Sequence, residues 1–142
     1  MPTRNASAVW EGGLKTGKGS FKGESGSIGG AYSFATRFGD TPGSNPEELL
    51  AAAEAACYSM ALSGGLEKNG TPATKIETSA ACTIEQGEGG FSIKSLKLDV
   101  KASVPGIENA KFQEIATATK SGCPVSKALS SSVDVQLTAR LV

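Results

Sequence analysis

Ile76, Thr78, Ala80, Cys82 and Ile84 recur at every second position, which predicts a strand with one inward face. The segment Gln86-Gly87-Glu88-Gly89-Gly90 reads as a hairpin. In the returning strand Phe91 and Ile93 share one parity, whereas Leu96, Leu98, Val100, Ala102 and Val104 take the other, so an extra residue is expected near Lys94-Ser95. A last alternation runs through Val133, Val135, Leu137, Ala139 and Leu141. Upstream, Trp10, Phe21, Tyr32, Phe34 and Phe38 are spread among glycine-rich turns over residues 8–38, and a β-meander is expected there.

Helical spacing takes over elsewhere. Turn residues Asp40 to Pro46 lead into a helix with Asn45 as N-cap and Pro46 at the first helical position, ending at Asn69-Gly70-Thr71-Pro72. Its expected buried stripe is Leu50, Ala53, Cys57, Met60, Ala61 and Gly64. A second helix over about Ala110 to Ser121 buries Phe112, Ile115 and Ala116, and Gly122-Cys123-Pro124-Val125 opens a short third one ending near Leu129. Strands, long helix, hairpin, two helices and a strand, without regular βαβ alternation, place the chain in the α+β class, with antiparallel sheets and one domain over residues 1–142.

Composition narrows the chemistry. The 142 residues include 14 basic and 14 acidic side chains and no histidine. Ser/His/Asp and Cys/His catalysis, histidine-bearing zinc sites and histidine pH switches are therefore out. Zero net charge without a Lys/Arg cluster leaves no electrostatic footprint for nucleic acid or an acidic membrane. The N-terminus has no apolar leader core, and the small-apolar run Leu49 to Cys57 is interrupted by Glu54, so the expected location is the cytoplasm. Gly12 to Gly17-Lys18 imitates a phosphate-binding loop, but Gly19 stands where its Ser or Thr belongs and the flanking strand and helix are missing.

Cys57, Cys82 and Cys123 form no Cys-x-x-Cys pair and do not read as a secreted disulfide framework. Cys82 has the parity of Ile76 and Ile84 and reads as core filler. Cys57 lies on the apolar stripe of the long helix. Cys123 occupies an N-cap position before a proline, where unpaired backbone N–H groups favour a thiolate. Spacing alone leaves both thiols open to a packing role or a reactive one. Arg37 closes an aromatic segment just before the turn, and Glu47 and Glu48 both suit helix capping, Ser44 selecting the first and Asn45 the second.

Several segments together resemble the OsmC branch of the OsmC/Ohr hydroperoxide reductases: Trp10-Glu11-Gly12, Thr36-Arg37-Phe38, Asn45-Pro46-Glu47-Glu48-Leu49, Ala55-Ala56-Cys57-Tyr58-Ser59-Met60-Ala61-Leu62, Val104-Pro105-Gly106-Ile107 and Gly122-Cys123-Pro124-Val125-Ser126. The resemblance covers nearly the whole chain. It implies an intertwined homodimer that reduces organic hydroperoxides, and hydrogen peroxide more weakly, without metal, haem or other bound cofactor. Carried over by position, Cys57 is the peroxidatic cysteine, Cys123 the resolving one, Arg37 the active-site arginine and Glu47 its glutamate. It also implies an external dithiol, a small thiol or lipoylated protein, as reductant. Cys82 has no counterpart. The rival expectations are a non-catalytic stress-related binding protein with inert thiols and a thiol acyl-transfer enzyme, the latter disfavoured by the missing histidine.

Overall fold

The computed structural model describes residues 1–142. They form two compact units, Met1–Leu49 and Leu50–Val142.

In the first unit, strands β1 (Ala6–Glu11), β2 (Lys18–Gly23) and β3 (Gly29–Tyr32) make the expected antiparallel meander, β2 in the middle. Gly19 pairs with both Trp10 and Tyr32 across the sheet. A Cβ on Gly19 would stand 2.6 Å from each of their rings, so only glycine lets the two aromatics meet, at 5.4 Å between centroids. The aromatic segment that follows is not extended. Residues Phe34–Phe38 form a short helix, α1, because Ser33 and Thr36 cap it reciprocally, each side chain accepting from the other's backbone N–H. The turn beyond is tied back to α1 by Thr36 Oγ1 donating to the Ser44 carbonyl and Asn45 Nδ2 donating to the Thr36 carbonyl.

Helix α2 (Pro46–Lys68) begins as the capping residues predict, with the Glu48 N–H donating to Asn45 Oδ1 at 2.8 Å. It ends in a Schellman arrangement: Gly70, at φ +80°, donates to the Glu67 carbonyl and Thr71 to the Leu66 carbonyl.

The second unit packs the remainder of α2 with β4 (Lys75–Gly87), β5 (Gly90–Ser103), α3 (Asn109–Gly122), α4 (Pro124–Leu129) and β6 (Asp134–Leu141). Strands β4 and β5 form the expected hairpin. Its register shifts between Thr83 and Ile84, where Thr83 faces Ser95 and Ile84 faces Ile93, leaving Lys94 as the extra residue. This bulge turns Leu96, Leu98, Val100 and Ala102 inward, all buried. Strand β6 pairs with β5 in parallel, so this sheet is mixed and not wholly antiparallel as expected. Residues 104–133, with α3 and α4, provide the crossover that a parallel pair requires. The core joins Leu62, Leu66, Leu96, Val100, Phe112 and Ala116, with Ile76, Ala80 and Cys82 packed against it.

The buried stripe of α2 differs from expectation. Glu54, Tyr58, Leu62 and Leu66 point inward, whereas Ala53 is exposed and Met60 is 82% exposed. Alanine, serine, glycine and leucine occupy nearly every face of α2, so helical periodicity alone does not select the inner one. The apolar stretch also continues beyond Cys57, and by length and composition α2 is long enough to cross a membrane. Its inner side is nevertheless fixed in this unit by the Tyr58 hydroxyl donating to the Ala116 carbonyl and the Ser59 hydroxyl within 2.7 Å of Thr78 Oγ1.

Candidate active site

The candidate residues fall into two groups, one in each unit, and each is built by its own local structure. In the first unit Arg37 ends α1 and Glu47 sits in the first turn of α2. The guanidinium grips the carboxylate with two nitrogens: Nη2 donates to Oε1 at 2.8 Å, and Nε donates to Oε1 at 3.3 Å and Oε2 at 3.2 Å. Such a fork holds the guanidinium plane as well as its charge. Glu47 is 6% exposed, whereas Glu48 is exposed and contributes its backbone N–H to the cap. Arg37 also lies 5.1 Å from the Phe38 ring centroid. A cavity of about 240 Å³ opens beside it, walled by Trp10, Leu14, Tyr32, Phe34 and Phe38. A fixed cation at the edge of an aromatic-walled cavity can stabilise an anion or an oxygen that gains negative charge.

In the second unit the two cysteines separated by 66 positions meet: the Cys123 thiol lies 2.9 Å from Cys57 Sγ. A disulfide needs about 2.0 Å, so bond formation asks the two sulfurs to approach by roughly 1 Å. Cys57 is half-buried and Cys123 fully buried. Local sequence explains the placement of Cys123. A residue before proline avoids the helical region, and Cys123 adopts φ −58°, ψ 125°. Its N–H closes α3 on the Thr119 carbonyl at 2.8 Å, and its own carbonyl accepts from Lys127 at 2.9 Å to open α4. The thiol is thus pinned at the corner between two helices.

The first N–H of α4 able to reach outward, that of Val125, is directed at Cys57 and not at the N-cap cysteine as expected. It favours the Cys57 thiolate but is outweighed. Burial pushes the Cys57 thiol above its ordinary range, and the Cys123 hydrogen bond and the charges of Cys123 and Glu54 push the same way. A cation placed at this thiol would work against that shift.

Glu54, noted in the sequence only as a break in an apolar run, proves to be part of this cluster. It is fully buried three residues before Cys57, with Oε1 accepting from the hydroxyl of Ser126, itself 2% exposed. Its other oxygen, Oε2, has no hydrogen-bond partner. The spacing of a single carboxylate one helical turn from Cys57 was the available signal. Beside it, the buried Tyr58 phenol is held protonated well above its usual range by burial and by the charges of Cys123 and Glu54. Cys82 packs against the core from β4. No three His, Cys, Asp or Glu side chains cluster so as to hold a metal ion.

The family model described as OsmC-like protein matches residues 39–138. The peroxiredoxin OsmC of Escherichia coli is 42% identical over 137 residues, covering 94% of this chain and 96% of that protein. The organic hydroperoxide resistance protein OhrB of Bacillus subtilis is 34% identical over 96 residues, covering 67% and 68% of the two chains. Among solved structures, an organic hydroperoxide resistance protein from Elizabethkingia anophelis superposes with a TM-score of 0.82 at 26% identity, covering 100% of this chain and 98% of its own.

Proposed function

Since this chain belongs to the OsmC-like protein family, we propose that it is a cysteine-based peroxidase that reduces organic hydroperoxides at the expense of an external dithiol. The observation that carries this reading is the Cys57–Cys123 pair: two thiols from distant parts of the sequence, 2.9 Å apart, one reachable and one enclosed.

The cycle has three steps. The Cys57 thiolate attacks the terminal oxygen of the hydroperoxide, the O–O bond breaks, and the alkoxide leaves and takes up a proton to become an alcohol, which leaves Cys57 as a sulfenic acid. Cys123 then attacks the Cys57 sulfur; an S–S bond forms, the S–OH bond breaks, and water departs. An external dithiol, either a small molecule or a lipoylated protein, returns both thiols through a mixed disulfide. Hydroperoxide and dithiol become alcohol, water and an oxidised dithiol.

We assign Arg37, locked by Glu47, as the cation for the first step. An ordinary cysteine is only about 3% thiolate at pH 7, and lowering its pKa by two units raises that fraction roughly twenty-fivefold, equivalent to about 2 kcal/mol. That is short of the roughly 8 kcal/mol or more that enzymes supply, so the guanidinium must also stabilise charge on the departing oxygen. The working protein is a homodimer in the cytoplasm. The exposed apolar face of α2, with Ala53, Ala56 and Met60, supports a second copy as its cover.

A peroxide panel with parallel thiol titration tests the activity. Cumene hydroperoxide is expected to be consumed faster than hydrogen peroxide, with two thiols lost for each equivalent consumed and turnover sustained by dihydrolipoamide. No consumption of any peroxide, with all thiols intact, would establish an inert binding protein instead.

A further inference from the structure

The second step of that cycle, on which this inference rests, requires Cys123 to lose a proton in a fully buried position. Few groups can take it. The chain has no histidine. The Tyr58 hydroxyl already donates to the Ala116 carbonyl and stays protonated. Arginine and protonated lysine are donors only. The unfilled acceptor in the cluster is Glu54 Oε2, enclosed by protein and without a partner.

The placement of Glu54 follows a simple repeat. Glu54 and Cys57 are three positions apart in α2, and Cys123 and Ser126 are three positions apart at the start of α4, so each pair projects from one side of its helix. Two rungs join the helices: Cys123 to Cys57 and Ser126 to Glu54. Ser126 holds Oε1 and so orients the remaining oxygen. Cys57 and Tyr58 each feel the charges of both Cys123 and Glu54, which places the carboxylate within electrostatic reach of the thiol pair.

We propose that Glu54 is the proton acceptor for Cys123 during disulfide formation and returns that proton to the hydroxyl leaving Cys57. As the Cys123–Cys57 bond forms, the Cys123 proton passes to Glu54 Oε2, directly or through one water. The S–OH bond of Cys57 breaks, and the same proton converts the departing hydroxide to water. Glu54 ends as it began, and no further reactant is required.

Glu54→Gln tests the assignment, because an amide carbonyl still accepts from Ser126 but takes up no proton. Wild type and variant are mixed with one equivalent of cumene hydroperoxide between pH 6 and 9, and sulfenic acid, trapped with dimedone, and disulfide are followed in time. Disulfide formation in the variant is expected to slow by about a hundredfold more than Cys57 oxidation at pH 7, and to accelerate about tenfold per pH unit as hydroxide replaces the lost base. A shallow pH dependence is expected in the wild type. Equal slowing of both steps, or wild-type disulfide formation in the variant, would overturn the proposal. If the variant does not fold, the wild type decides: a tenfold rise per pH unit overturns the proposal and a level profile upholds it. Wild-type protein that forms neither sulfenic acid nor disulfide would refute the peroxidase reading itself, and this inference with it.

Discussion

Replacing Cys57 by serine is expected to lower hydroperoxide consumption by at least about a thousandfold, because a hydroxyl at neutral pH offers almost no anion to attack the O–O bond. The fold should survive, since serine is of similar size and Cys57 is only half-buried on α2. Cys123→Ser separates the two thiols' roles. The first equivalent of peroxide should be consumed, a Cys57 sulfenic acid should accumulate in a form dimedone traps, and turnover supported by a dithiol should fall steeply. Stopped-flow peroxide consumption and trapped-adduct mass read the two variants. Consumption by the Cys57 variant at the wild-type rate would remove that sulfur from the chemistry.

The second large effect is expected at Arg37. Lysine keeps the charge but lacks the planar fork with which Arg37 holds both oxygens of Glu47. Arg37→Lys should reduce the second-order rate with cumene hydroperoxide by about tenfold to a hundredfold, the scale set by loss of one oriented donor from a reaction centre. The pH dependence gives an independent sign. Around Cys57, burial, Cys123 and Glu54 all favour the thiol over the thiolate. In the role proposed for it, the Arg37 guanidinium favours the anion and lowers the pH at which it forms. Removing the cation with Arg37→Met should therefore shift the rising limb of the rate to higher pH, with the greatest loss near pH 7 and partial recovery in alkali. An unchanged rate and an unmoved limb would exclude Arg37 from this role.

How far the sequence foretold this structure depends on the kind of signal involved. The change of parity between Ile93 and Leu96 disclosed the bulge at Lys94, because one inserted residue reverses every following side chain. Asn45-Pro46 and Gly122-Cys123-Pro124 marked helix starts because proline and capping residues act within one turn. Other features lie beyond local signals. The alternation of β6 shows which face is inward but not whether its neighbour runs with it or against it. Helix α1 depends on a pair of reciprocal bonds in a segment whose aromatics favour strands. The inner face of α2 was concealed because small residues surround the helix and its inner stripe includes a carboxylate.

The candidate site shows the same division. Cys57 and Cys123 were recognisable by the motifs around them, as were Arg37 and Glu47, and of the two adjacent glutamates the structure gives the ion pair to Glu47 and the cap to Glu48. Glu54 and Ser126 were not, since their pairing exists only once α2 and α4 pack together. A carboxylate in an apolar run has meaning through its partner, and that partner is 72 positions away.

Peptide mapping by mass spectrometry after one equivalent of an organic hydroperoxide tests the central claim most directly. The prediction is a loss of two hydrogens from the intact chain and a peptide joining Cys57 to Cys123, with Cys82 unmodified. An unchanged mass after the peroxide is added, or a linkage that leaves out either of those two cysteines, would contradict it.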